Sequence, residues 1–199
     1  KIFLEGREIG IRHPKDSIAA GIAYLPEDRK NLGLVLPMSA RENSTMCIHD
    51  RIKRLFGVIS KAEECAVTDR YIQELKIKVV SREQTVRTLS GGNQQKIVIA
   101  KALAVAPKLL ILCEPTRGID VGAKVEVHHI ISSLADSGIS ILVISSELQE
   151  IFNLSDRILV MHEGRITADI PVHEADQETV MRAAIGERLH ETPLPPMDG

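Results

Sequence analysis

Two rhythms of apolar residues run along this chain. The segment KLLILCE, residues 108–114, is continuously apolar until it ends in an acid, and GIAYLP (21–26) and SILVISS (140–146) share that character. Such runs read as strands buried on both faces. Between them, apolar positions recur at helical spacing over about Gly92–Ala104 and Ala123–Asp136. Shorter patterns predict a hairpin arm at IFLEGREIG, a short helix at HPKDSIAAG, another at ELQEIFNL, and strands at RILVMHEG and RITADI. From Glu27 to about Ser81 the strand rhythm lapses, while SARENSTMCI and KAEECAVTDRYIQELKI keep helical spacing. The expectation is a parallel-sheet α/β domain interrupted by a mainly helical lobe, with a proline-rich, disordered end at ETPLPPMDG.

Composition narrows the class without naming a function. At 199 residues, 44% hydrophobic and 26% charged, the chain has enough apolar material for one sizeable core. Its formal net charge of -2 gives no whole-chain footprint for nucleic acid. Cys47, Cys65 and Cys113 are too scattered for a disulfide framework or a zinc site, which points to a reducing, cytosolic compartment, and Cys47 and Cys65 read as small buried hydrophobes. No stretch has the length and apolarity of a membrane span. His128 and His129 point about 100° apart on a predicted helix, so they suit a surface better than one metal. The cations Arg51, Lys53, Arg54 and Lys61 read as a solvated face.

The sharpest chemistry lies in LSGGNQQK, residues 89–96. Ser90, Gly91 and Gly92 place a hydroxyl and unhindered backbone N–H groups where an amphipathic helix begins, and a helix N-terminus attracts anions. That geometry suits a phosphate. It also suits an ordinary serine cap on a glycine turn. Glu114, at the carboxyl end of a predicted strand, stands where open α/β sheets do chemistry, preceded by the thiol Cys113.

Taken in order, LSGGNQQK, LLILCE, PTRGID and ILVISSE resemble the signature motif, Walker B strand, D-loop and switch strand of the ATP-binding cassette ATPases of membrane transporters. The resemblance runs from about Phe3 to Arg165. EDRK followed by GLVL and SARENS looks most like the second, C-terminal cassette of tandem ATPases that import ribose, galactose, xylose and related solutes. It implies a P-loop NTPase-like α/β core with a helical subdomain, divided as 1–26 partial core, 27–88 helical subdomain, 89–172 core with signature, Walker B, D-loop and switch strand, and 173–199 C-terminal helix and disordered tail. It implies ATP and Mg²⁺ as cofactors. Ser90, Gly91, Gly92 and Gln94 are then expected near the γ-phosphate of ATP bound by another cassette, with Glu114 orienting the attacking water and Asp120 carrying signals between two sites. Asp120 reads equally as a helix cap. Implied partners are a second cassette, membrane permease subunits that hold the chain at the inner face of the membrane, and indirectly a periplasmic solute-binding protein, with no nucleic acid.

The departures from the family pattern weigh as much as the matches. Cys113 stands where the family has an aspartate that supports Mg²⁺, and a neutral thiol is a poor ligand for a hard cation. Glu27 replaces a glutamine and remains a possible metal contact; Ser146 replaces a histidine and can donate a hydrogen bond without supplying an imidazole. No GxxxxGK[ST] occurs in the 199 residues. Relative to the family the chain begins after the P-loop, so it reads as a fragment expected to lack hydrolysis alone. Three functions are compatible with the motifs: a sugar-import ATPase module, a non-hydrolysing cassette that lends its signature to another chain's ATP, and a DNA-maintenance ATPase. The third is weakened because 27–89 is short and lacks sustained heptads.

Overall fold

A three-stranded parallel sheet organises the N-terminal part of the chain. In the computed structural model, which describes residues 1–187, strand β4 (Leu109–Cys113) lies between β3 (Ile22–Leu25) and β5 (Ser140–Ile144). The registers Ala23↔Leu110↔Ile141 and Leu25↔Leu112↔Val143 put one set of apolar residues on one face. On that face Ala23, Leu25, Leu110 and Leu112 are buried. The opposite face, with Tyr24, Leu142 and Ile144, is open to solvent among the described residues. The runs read as strands buried on both faces, and among the described residues only one of those faces is covered.

Helix α4 (Gly91–Leu103) is the centre of this part. Almost every residue from Gln94 to Leu103 is buried, because the helix packs on β3, on α5 (Val121–Asp136) and on the helical lobe together. An amphipathic stripe would have suited a helix with one buried side; this one is enclosed nearly all round. Its Lys96, with a side chain only 4% exposed, is satisfied by Glu126 Oε2 at 2.7 Å and the Lys76 carbonyl at 3.2 Å.

The 27–88 stretch is helical and irregular, as its pattern suggests. It contains a π-helical turn at Arg29–Gly33, helix α2 (Ala40–Thr45) and helix α3 (Lys61–Glu74). Ser39 and Glu42 form a reciprocal capping box at the start of α2. Asn43 is fully buried and bonds Val35 N, Val35 O and Ser39 O, which fixes the approach to the helix. Arg41 bridges the buried Glu64 at 2.5 Å and Glu83 at 2.8 Å. Before the sheet, the hairpin β1 (Ile2–Leu4) and β2 (Arg7–Ile9) and helix α1 (Pro14–Ala19) occupy their expected places.

The described residues fall into two compact units, Lys1–Ile144 and one beginning at Ser145. The second unit adds an antiparallel element to the expected parallel-sheet domain. Its strands β6 (Arg157–His162) and β7 (Arg165–Pro171) form an antiparallel pair of their own. The reason is the two-residue turn Glu163–Gly164, with φ of 46° and 77°, a backbone that folds a chain straight back on itself. Glu5–Gly6, at 51° and 74°, does the same between β1 and β2. Ile158, Val160 and Ala168 form a small core with Val180 and Ala183 of helix α7 (Gln177–Ala184), flanked by Leu148, Ile151 and Phe152 of helix α6 (Leu148–Leu154). The proline-rich end, 191–199, lies outside the described residues. One correction concerns Cys47, which is exposed rather than a buried hydrophobe, while Cys65 is half-buried.

Candidate nucleotide-facing site

The signature segment becomes a tightly built turn. Ser90 is the N-cap of α4, with φ −62° and ψ 158°; its exposed hydroxyl accepts from Asn93 Nδ2 at 2.9 Å and, more loosely, from the Asn93 backbone N–H at 3.5 Å. By helix geometry the N–H groups of Gly91 and Gly92 have no acceptor within the helix. Both glycines are also demanded by packing. A Cβ on Gly92 would lie 2.5 Å from Ala123 Cβ, and one on Gly91 would lie 2.9 Å from an Arg29 terminal nitrogen and 3.2 Å from the Gly118 carbonyl. Helix α4 begins where α5 and the loop after β4 press closest.

Gln94 faces inward. It is 5% exposed and donates from Nε2 to the Val86 carbonyl at 3.1 Å, holding the approach to the turn from behind. Asp120 caps α5 by accepting from the Ala123 N–H at 2.9 Å, the structural reading that its place before VGAK allowed.

Strand β4 ends in an unusual backbone. Glu114, a non-glycine residue, has φ +48°, which costs on the order of 1 kcal/mol. Hydrogen bonds hold it there: its N–H donates to Ile144 O at 2.7 Å, and its carbonyl accepts from Arg117 N at 3.1 Å. The half-buried Glu114 thus sits on a sharp corner between β4 and the loop to α5. Glu27, at the end of β3, pairs with Arg117 at 3.3 Å, both side chains more than half exposed, a contact of small energetic weight. Cys113 is half-buried, opposite Ile144, on the uncovered side of the sheet. It neighbours the Tyr24 hydroxyl, whose pKa is pushed up by partial burial first, then by Cys113 and Glu27. Ser146 lies just after β5, in the second unit.

The pattern concealed one residue. Arg29 looks in the sequence like one cation in a charged loop, yet it is 9% exposed and donates to the Arg117 carbonyl at 2.6 Å and the Gly118 carbonyl at 2.8 Å. Burial pushes its guanidinium below the ordinary arginine value, with Asp28 opposing. Nothing in the sequence sets it apart beyond its place in EDRK. Among the described residues no three His, Cys, Asp or Glu side chains come together as a metal-binding group, so the donors here do not make a Mg²⁺ site by themselves.

A family model described as ABC transporter matches residues 1–117. The chain belongs to the ABC transporter family. Among curated members of that family and its neighbours, it is 50% identical to the xylose import ATP-binding protein XylG of Thermoanaerobacter pseudethanolicus, over 94% of this chain and 37% of that protein. It is also 50% identical to the ribose import ATP-binding protein RbsA of Chromobacterium violaceum, over 96% of this chain and 38% of that protein. The chain therefore spans less than two-fifths of the length of these relatives. A solved dimeric ATP-binding cassette in a post-hydrolysis state with ADP and Pi superposes with a TM-score of 0.70 at 17% identity, covering 85% of this chain and 72% of that one. The ADP conformation of another transporter cassette gives 0.71 at 21%, covering 93% and 76%. The fold is that of an ABC ATPase cassette. No helix among the described residues is long and apolar enough to cross a membrane.

Proposed function

We propose that this chain belongs to the ATP-binding component of a sugar importer, and that its task is to present the signature turn to ATP held on the P-loop of a second cassette. The observation that carries this is the start of α4: an exposed serine and two glycine N–H groups at the positive end of a long buried helix, the glycines hemmed in by Arg29 and Ala123. Ser90, Gly91 and Gly92 would contact the γ-phosphate, Gln94 would brace the turn from behind, and Asp120 would hold the adjoining loop beside the dimer contact. The names of the xylose and ribose import relatives supply the solute class. The permease and a periplasmic binding protein complete the importer, and the chain sits peripherally on the inner membrane face through the permease. ATP brings Mg²⁺ with it on the partner's P-loop.

A second reading, a cassette that lends its signature without hydrolysing ATP itself, draws on the strand end. There Glu114 would position the attacking water, with Glu27 after the neighbouring strand β3, but Cys113 is a thiol beside a phenol, and a soft sulfur gives a hard cation little support. Under this reading the site that contains Glu114 turns over weakly, while the signature serves a partner site that is fully active.

Ser90→Arg tests the proposal, because Ser90 is exposed and the longer side chain fills the phosphate position without entering the core. In the assembled transporter this variant abolishes ATP turnover at the site completed by this signature and leaves the melting temperature within a few degrees. Undiminished turnover would contradict the proposal.

A further inference from the structure

The Arg29 side chain joins three segments that are far apart in sequence. It begins the π-helical turn after β3, its two terminal nitrogens grip the carbonyls of Arg117 and Gly118, and one of them lies 2.9 Å from the place a Gly91 side chain would occupy. Gly118 has φ +68°, so the grip falls on a corner of the loop rather than on regular strand or helix. The arrangement is expensive. A cation this far from water normally has a carboxylate against it, yet the neighbouring Asp28 is engaged with Lys30 N, Asn31 N and Asn31 Nδ2, and Arg29 Nε has no hydrogen-bond partner. The planar fork of the guanidinium reaches two successive carbonyls from two terminal nitrogens held in one fixed geometry.

We propose that Arg29 is a positioning residue which ties the loop 117–120 to the signature turn, so that Ser90, Gly91, Gly92 and Asp120 meet a partner cassette as one preset surface. Gly91 is small, on this account, because the guanidinium passes beneath it as well as because a phosphate approaches from outside. The functional half of the inference rests on the signature reading above; the tie itself does not.

The test uses the assembled transporter with Arg29→Lys, which keeps the charge and loses the fork. Amide hydrogen exchange is expected to rise at 117–120 and 90–93 and stay unchanged in α3 and in β6 and β7. The kcat for ATP falls by roughly tenfold or more, while the affinity of the partner's P-loop for nucleotide, measured with a fluorescent ATP analogue, is unchanged. A merely structural arginine would instead raise exchange throughout the unit and lower the amount of folded transporter, leaving kcat per folded molecule intact. If Arg29→Lys does not accumulate, Arg29→Gln, which keeps one NH₂ donor, is read by the same exchange measurement. Local exchange at 117–120 that matches the wild type overturns the tie. Loss of turnover in Ser90→Arg with full kcat in Arg29→Lys overturns the positioning role and leaves the signature reading standing; full turnover in Ser90→Arg overturns the signature reading, while raised exchange in Arg29→Lys would still establish the tie.

Discussion

The signature turn and the end of β4 are neighbours in the same unit, and they are built to different standards. At the turn every space is filled: Gly92 abuts Ala123, Gly91 abuts Arg29, and Gln94 and Asp120 are engaged with backbone groups. At the strand end, Cys113 and Glu114 are half-buried, Glu27 and Arg117 meet across solvent, and no metal-binding group of three assembles among the described residues. A site that only lends N–H groups needs a rigid shape, whereas a site that hydrolyses needs correctly placed charges as well. The comparison indicates that the signature turn is more tightly built than the end of β4.

Gly92→Ala breaks the comparison most forcefully. The added methyl would sit 2.5 Å from Ala123 Cβ, part of a helix that cannot simply step aside, so stability should fall by about 1–3 kcal/mol. Thermal melting checks this against Gly10→Ala, where nothing lies within 4 Å and no loss from packing is expected. Equal melting temperatures for the two variants would show that the turn has slack.

How far the sequence reached follows the same division. The start of α4 was legible because a serine cap and a glycine pair precede a long apolar pattern, and β4 because branched residues run unbroken into an acid. The Arg29 tie was not legible: its acceptors lie 88 and 89 residues away, and a charge in a polar loop gives no sign that folding will bury it. The antiparallel β6–β7 pairing is not legible, because Glu163–Gly164 continues the run RILVMH in the sequence, while in the structure its two positive φ values make it a turn. The inward turn of Gln94 toward the Val86 carbonyl is likewise invisible in the motif that contains it.

Cys113→Asp sharpens the comparison from the other side. In a cassette that also carries a P-loop, a hard carboxylate oxygen in place of the thiol should tighten the Mg²⁺ dependence of nucleotide binding by roughly tenfold. Hydrolysis should recover little, since Glu27 is unchanged and groups that act as a unit are not repaired singly. Unaltered metal dependence with a lowered melting temperature would leave Cys113 as packing.

The smallest effect concerns acid. Lys96 holds the Glu126 carboxyl below its ordinary range, first through their hydrogen bond and then through charge, and the pair fastens α4 to α5 just behind the signature turn. A depressed folded-state pKa means that the pair's contribution is present above the unfolded value of about 4.3 and is lost as pH falls through the lower folded value. Glu126→Gln should therefore flatten the decline of melting temperature in that acid window and change it little at pH 7. An identical acid profile in the variant would remove this pair from the turn's support.

The central claim is that the chain lends its signature to another cassette's ATP. Sedimentation velocity of the chain mixed with a P-loop-bearing cassette, with and without ATP, tests it most directly. The account predicts a joint complex that forms only with ATP and disappears with Ser90→Arg. A complex that forms equally without nucleotide, or that survives Ser90→Arg, would contradict it.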